Sequence, residues 1–80
     1  MIRLILVPSM FAKHTLFIEI DKSLELIGTF FIPELLNEIP NFMEIYEVDI
    51  LYIKKDKTEY VDGIIDILKS IENLRIEVIE

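Results

Sequence analysis

The chain has 80 residues, 52% of them hydrophobic, and a formal net charge of −7 at pH 7. That length allows one small domain; the absence of cysteine excludes disulfides and thiolate metal sites, and the acidic balance leaves no basic face for holding nucleic acid by its phosphates. A domain this small buries only about 60–65% of the surface its unfolded chain exposes, so a mean hydropathy of +0.45 leaves apolar surface over. The surplus points to a homo-oligomer or to docking on a larger protein.

Residues 2–8 are predicted to form a first strand, apolar almost throughout. Such a strand belongs in the middle of a sheet with both faces covered. Pro8 and Ser9 end it, and Met10 to Lys13 make a turn. The run Leu4-Ile5-Leu6-Val7 behind Arg3 is too short for a signal-peptide core, and no small-residue cleavage site follows. The most apolar window, Leu24 to Leu36, is broken by Glu25, Pro33 and Glu34, well short of the roughly 18–20 clean residues of a membrane span. A cytoplasmic protein without membrane contact is expected.

His14 to Ile20 alternates Leu16, Ile18 and Ile20 against Thr15, Phe17 and Glu19, the period of a second strand. Asp21-Lys22-Ser23 is a turn signal. The segment from Leu24 to Phe31 admits two readings. As a strand it has the β-formers Ile27, Thr29, Phe30 and Phe31; as a helix it would start at a Ser23 cap and kink at Pro33. Pro33 suits the first position of a following helix, which favours the strand. A short helix over Glu34 to Ile39 then stops at Pro40-Asn41, and Phe42 to Tyr46 leads into the next strand.

The last third reads strand, helix, strand: Val48 to Ile53, Thr58 to Glu72, Leu74 to Ile79. Two such strands joined by one helix lie parallel. Asp56 is a suitable N-cap, with Glu59 completing a capping-box pattern. Val61, Ile64, Ile65, Leu68 and Ile71 fall on one helical face, widened by Tyr60 and Ile67. Asn73 is the expected C-terminal stop. The result is an α/β domain with a small mixed sheet in the order β-β-β-α-β-α-β, or β-β-α-β-α-β if residues 24–31 are helical.

A three-strand meander followed by two parallel strands with crossover helices is similar to the ribonuclease H-like order, in minimal form. The carrying stretches are Phe31-Ile32-Pro33-Glu34-Leu35-Leu36-Asn37-Glu38-Ile39, Val48-Asp49-Ile50-Leu51-Tyr52-Ile53 and Gly63-Ile64-Ile65-Asp66. They resemble half of an actin-like ATPase lobe and, within that superfamily, the dimerisation subunit of bacterial tRNA threonylcarbamoyladenosine synthesis. The resemblance implies a degenerate scaffold subunit in tRNA modification that binds an actin-like enzyme. The chain departs from that family where a Gly-Pro-Gly loop should precede the second helix: it reads Lys55-Asp56-Lys57-Thr58-Glu59-Tyr60-Val61. The 80 residues correspond to part of one lobe of that family.

The chemistry suggested by such a fold lacks its residues. A two-metal nuclease needs converging carboxylates, one of them in the first strand, and residues 2–8 have none. Asp49 with Glu34 or Glu38 supplies only part of a site, and Glu19 and Asp21 read as solvent-exposed. His14 is the single histidine, so zinc has no second ligand of its kind, and Ser9 nearby lacks a third triad member. Gly28 and Gly63 are the only glycines, too few for a phosphate cradle. Lys54, Lys55 and Lys57 before the second helix form a weak anion candidate. No enzyme activity, cofactor or metal is expected.

The expected function is therefore non-catalytic protein interaction, by homo-oligomerisation or docking on a larger partner. Phe30, Phe31, Leu35, Leu36, Tyr60 and Ile67 are the expected contact residues, as apolar anchors within a charged rim. A second alternative is an acidic inhibitor of a nucleic-acid-binding protein, of the phage anti-defence type, with no direct nucleic-acid contact of its own.

Overall fold

Seven elements follow one another in the computed structural model, which describes residues 1–9, 13–55 and 60–80. They are β1 (Ile2–Val7), β2 (His14–Ile20), β3 (Ser23–Phe30), α1 (Ile32–Tyr46), β4 (Ile50–Lys54), α2 (Tyr60–Leu68) and β5 (Arg75–Ile79). The order is β-β-β-α-β-α-β, so residues 24–30 are a strand. One five-stranded sheet forms, in the spatial order β3-β2-β1-β4-β5. β1 and β2 pair antiparallel, as do β2 and β3, whereas β1–β4 and β4–β5 are parallel. β2 alone therefore runs against the other four strands.

The β2–β3 hairpin turns at Asp21 and Lys22, both with positive φ (48° and 72°). This is the two-residue geometry whose twist matches paired strands. The ladder closes at Ile20 opposite Ser23 and carries one register shift near Leu16 and Phe17, which leaves Ile27 as the extra residue of β3.

Alternation within the strands sorts side chains onto two faces. Leu4 and Leu6 of β1, Leu16 and Ile18 of β2, and Leu51 and Ile53 of β4 occupy one face and are buried. They form a single core with Leu35 and Ile39 of α1, Val61, Ile64 and Leu68 of α2, and Ile71 beyond it. Both helices therefore pack on the same side. Each crosses from one strand to a parallel strand in the same direction along the sheet, and same-handed crossovers in one direction land on one face. β1 is central, as expected, but the expectation that both its faces are covered fails: among the described residues only one face carries helices.

The first helix corrects another expectation. It does not stop at Pro40 but continues to Tyr46, with Pro40 inside it. Proline removes one backbone bond and costs about 3 kcal/mol in a helix interior. Packing outweighs that cost: beyond Pro40, Phe42, Met43 and Tyr46 lie against the core at helical spacing from Ile39, and Phe42 stacks on Tyr46 with centroids 6.2 Å apart. The helix opens with Phe31 as N-cap, whose N–H donates to the Glu34 carboxylate at 2.9 Å. It closes at Glu47, which takes the left-handed conformation. β4 accordingly starts at Ile50 rather than Val48.

α2 places Val61, Ile64 and Leu68 inward, as the stripe predicts, but ends at Leu68 rather than Glu72. The Ser70 hydroxyl donates to the Ile67 carbonyl at 2.8 Å and the Ile71 N–H to that of Leu68 at 3.0 Å, closing the last turn. Asn73 is left-handed (φ 65°) but sits beyond that turn, where it leads into β5. The proposed cap at Asp56 and its partner Glu59 lie outside the described residues. No helix among the described residues is long and apolar enough to cross a membrane.

Candidate interaction surface

The strand register defines the face that no helix covers. Its middle row is Leu26, Phe17, Ile5 and Tyr52, each directly opposite the next on β3, β2, β1 and β4, and it ends at Glu77 on β5. One flanking row is Leu24, Glu19, Arg3, Ile50 and Arg75; the other is Thr29, Thr15, Val7, Lys54 and Ile79. An apolar band four strands wide thus crosses the sheet, with charges beside it. Ile5 is buried, but none of these side chains joins the core cluster between sheet and helices or packs against it.

Exposure along the band is graded. Ile5 at its centre is 9% exposed, shielded by its neighbours, whereas Leu26 and Leu24 at the β3 end are 64% and 56% exposed. Ile5, Val7, Phe17, Leu24 and Ile79 line a shallow trough of about 370 Å³ on this face, together with Glu19, Lys54 and Glu80.

The charges on the face are satisfied within it. Arg3 donates to Glu19 through Nε at 2.8 Å and Nη2 at 3.2 Å, and its guanidinium lies 4.9 Å from the centre of the Tyr52 ring. The hydrogen bond from Arg3 holds the Glu19 carboxyl below its ordinary value and raises Arg3 in turn. Arg75 reaches Glu77 on its own strand at 3.8 Å. The face carries Arg3, Lys54 and Arg75 against Glu19, Glu77 and Glu80, so it is neutral on a chain of −7. The acidity lies elsewhere. α1 carries Glu34, Glu38 and Glu44, α2 carries Asp62 and Asp66, and neither contains a lysine or arginine.

The residues expected from sequence to bind a partner are scattered. Leu35 is fully buried in the core and has no surface to offer. Phe30 and Leu36 are partly buried against that core. Phe31 and Ile67 are exposed, at 43% and 44%, the former beneath Lys13, whose Nζ is 5.2 Å from the ring centre. Tyr60 opens α2, and its side chain lies outside the described residues. Of the anion candidates, Lys54 ends β4 on the bare face and Lys55 donates its N–H to the Ile79 carbonyl, while Lys57 lies outside the described residues. The row Leu26–Phe17–Ile5–Tyr52 was not anticipated. Its signal was the second, outward-pointing set of apolar residues in the strands, combined with two crossovers running the same way.

His14 is buried at the start of β2 opposite Phe30. The Ser9 N–H donates to its Nδ1 at 3.1 Å, and burial pushes its pKa below the ordinary 6.5. It is thus a neutral structural group that ties the end of β1 to β2. Among the described residues no three His, Asp or Glu side chains are grouped to hold a metal.

No protein-family model matches the sequence, and no curated protein matches it significantly.

Proposed function

We propose that this chain is a non-catalytic protein-interaction domain whose contact surface is the bare face of the sheet. The observation that carries the reading is the band Leu26–Phe17–Ile5–Tyr52, apolar across four adjacent strands and uncovered among the described residues. Contiguous exposed apolar surface rimmed by charge marks an interaction site. The non-catalytic part rests on the sequence of β1, Ile2-Arg3-Leu4-Ile5-Leu6-Val7, which has no carboxylate at the centre of the sheet.

The ribonuclease H-like reading of the fold belongs to this proposal. Its support is the spatial order 3-2-1-4-5 with β2 alone reversed. A scaffold subunit in tRNA modification would use such a fold for assembly rather than chemistry; specific binding to an actin-like enzyme is its test.

The acidic helical layer favours a second reading. Five carboxylates on α1 and α2, of which Asp66 pairs with Lys69 just beyond α2 at 3.8 Å, suit an inhibitor that occupies the basic cleft of a nucleic-acid-binding protein. Binding that collapses as salt rises would mark that use of the molecule.

Chemical cross-linking of the chain in its source-cell extract separates the two surfaces. Wild type and the double variant Leu24→Glu, Leu26→Glu are compared with Glu38→Lys, Asp66→Lys. Loss of cross-linked species only in the leucine variant supports the sheet face. Loss only in the lysine variant transfers the function to the helices, and no species with wild type overturns the interaction reading.

A further inference from the structure

We infer that the occupant of the bare sheet face is a second copy of this chain, docked sheet to sheet about a twofold axis. The inference rests on the interaction reading above and names its partner. Three observations carry it.

The first is charge. Two chains of −7 repel each other, and the helical layer concentrates that repulsion, with five acids on α1 and α2 against Lys69 beside Asp66. The sheet face is where two copies can meet without it. Its charges balance, with Arg3, Lys54 and Arg75 against Glu19, Glu77 and Glu80, and both arginines already have a carboxylate partner on the same face. A twofold interface places the same patch on both sides, so a patch that needs no outside counter-charge is self-compatible. A partner of strong opposite charge would instead leave those pairs competing with it.

The second is size. The molecule extends 30 × 25 × 20 Å. Its sheet has five strands about 4.8 Å apart, five to eight residues long at roughly 3.3 Å per residue, so the face spans about 20 Å by 17–26 Å. A face of that span is on the order of the ~800 Å² per partner that a standard stable interface buries. A narrow peptide would cover only part of the band. A second sheet covers all of it, with inner faces about 10 Å apart as in packed sheets generally.

The third is that the edges of the sheet carry devices against pairing, whereas the middle row of the face is apolar across four strands. β3 has an extra residue at Ile27 that breaks its ladder, and Glu25 on the strand; β5 carries Arg75 and Glu77. Bulges and charges on edge strands oppose edge-to-edge addition. In the middle row, by contrast, the first charge after Leu26, Phe17, Ile5 and Tyr52 is Glu77, at the far edge. Self-association is thus directed to the face and away from the edges.

The test is absolute mass in solution by light scattering across a dilution series, on the purified full chain. Wild type is expected at twice the chain mass. Leu24→Glu with Leu26→Glu, two leucines already exposed in the single chain, should weaken the dimer by more than about tenfold with an unchanged far-ultraviolet spectrum. Ile67→Asp and Ile45→Asp, exposed on the helices, should leave it intact. If the helix variants dissociate the dimer and the leucine variant does not, the face is wrong although self-association stands. A wild-type chain that stays monomeric to its solubility limit overturns the second copy as occupant. In that case a cross-link lost with the leucine variant would still preserve the interaction reading. Should the leucine variant lose its folded spectrum, Leu26→Ser serves in its place.

Discussion

Arg3 and Glu19 face each other across β1 and β2, joined by two hydrogen bonds of 2.8 and 3.2 Å on the side of the sheet that no helix covers. The paired fork and the Tyr52 ring beneath it fix one guanidinium against three strands. Arginine forms such planar, two-point contacts with carboxylates where lysine cannot. The pair keeps a charged row compact beside the apolar band, so that both can enter one interface.

The first prediction concerns that pair. The Glu19 carboxyl is held below its ordinary value of 4.5 chiefly by the hydrogen bond from Arg3. A carboxyl lowered in the folded state stabilises the fold above its unfolded pKa, and that stabilisation is lost as pH falls through the lower folded value. In a carbon-detected NMR titration, Glu19 should protonate at lower pH than an ordinary glutamate. Arg3→Ala should move it back toward 4.5, and Arg3→Lys only part of the way. A Glu19 titration unaltered by Arg3→Ala would show that the pair is not formed in solution.

His14 gives a second pH dependence in a different range. Its pKa is lowered by burial, so the unfolded chain takes up a proton near pH 6.5 that the folded chain refuses. Stability from this group is complete above 6.5 and declines as pH falls from there toward the lower folded value. Urea unfolding at pH 7 and pH 5 should show that decline. His14→Leu should cost about 1–3 kcal/mol at pH 7, because the Ser9 N–H loses this acceptor, while flattening the dependence between those two pH values. A slope undiminished in the variant would assign it to other groups.

Much of this architecture could be read in the residues, because apolar runs mark β1, β4 and β5, period-two alternation marks β2, and the stripe Val61, Ile64, Leu68 marks the second helix. The failures were tertiary. Pro40 reads locally as a stop, and only the core contacts of Phe42, Met43 and Tyr46 carry the helix past it. An apolar β1 reads as covered on both sides, yet among the described residues no second layer lies over Ile5, which sits between Phe17 and Tyr52 in the register. For the candidate site the error was one of sides. Apolar residues on and around helices drew attention to Leu35 and Leu36, which the core absorbs, and away from Leu24 and Leu26, which it does not.

Gly63 is a place where the fold leaves stability unused. It lies in α2 with a negative φ, and a Cβ built there meets nothing within 4 Å. Glycine inside a helix costs roughly 0.5–1 kcal/mol relative to alanine through lost backbone freedom. Gly63→Ala should therefore raise unfolding free energy by about that amount in urea titration. A loss of stability would mean that something occupies the space beside α2 in solution, which would reopen the helical layer as a contact surface.

The charge asymmetry makes the last prediction, and it separates the two uses of the molecule. Two copies meeting through the sheet face bring together neutral patches while their acidic helices point outward. What salt screens in that geometry is mostly the overall repulsion between chains of −7, since the face carries its ion pairs ready-made. Raising ionic strength from about 0.05 to 0.5 M, which cuts the screening length roughly threefold, should leave the dimer constant unchanged or tighten it. Sedimentation equilibrium at both salts measures this directly. A dimer that weakened steeply with salt would be held by intermolecular ion pairs, which the sheet face does not offer. Its contact would then have to be sought between the acidic helices of one copy and the cations of the other.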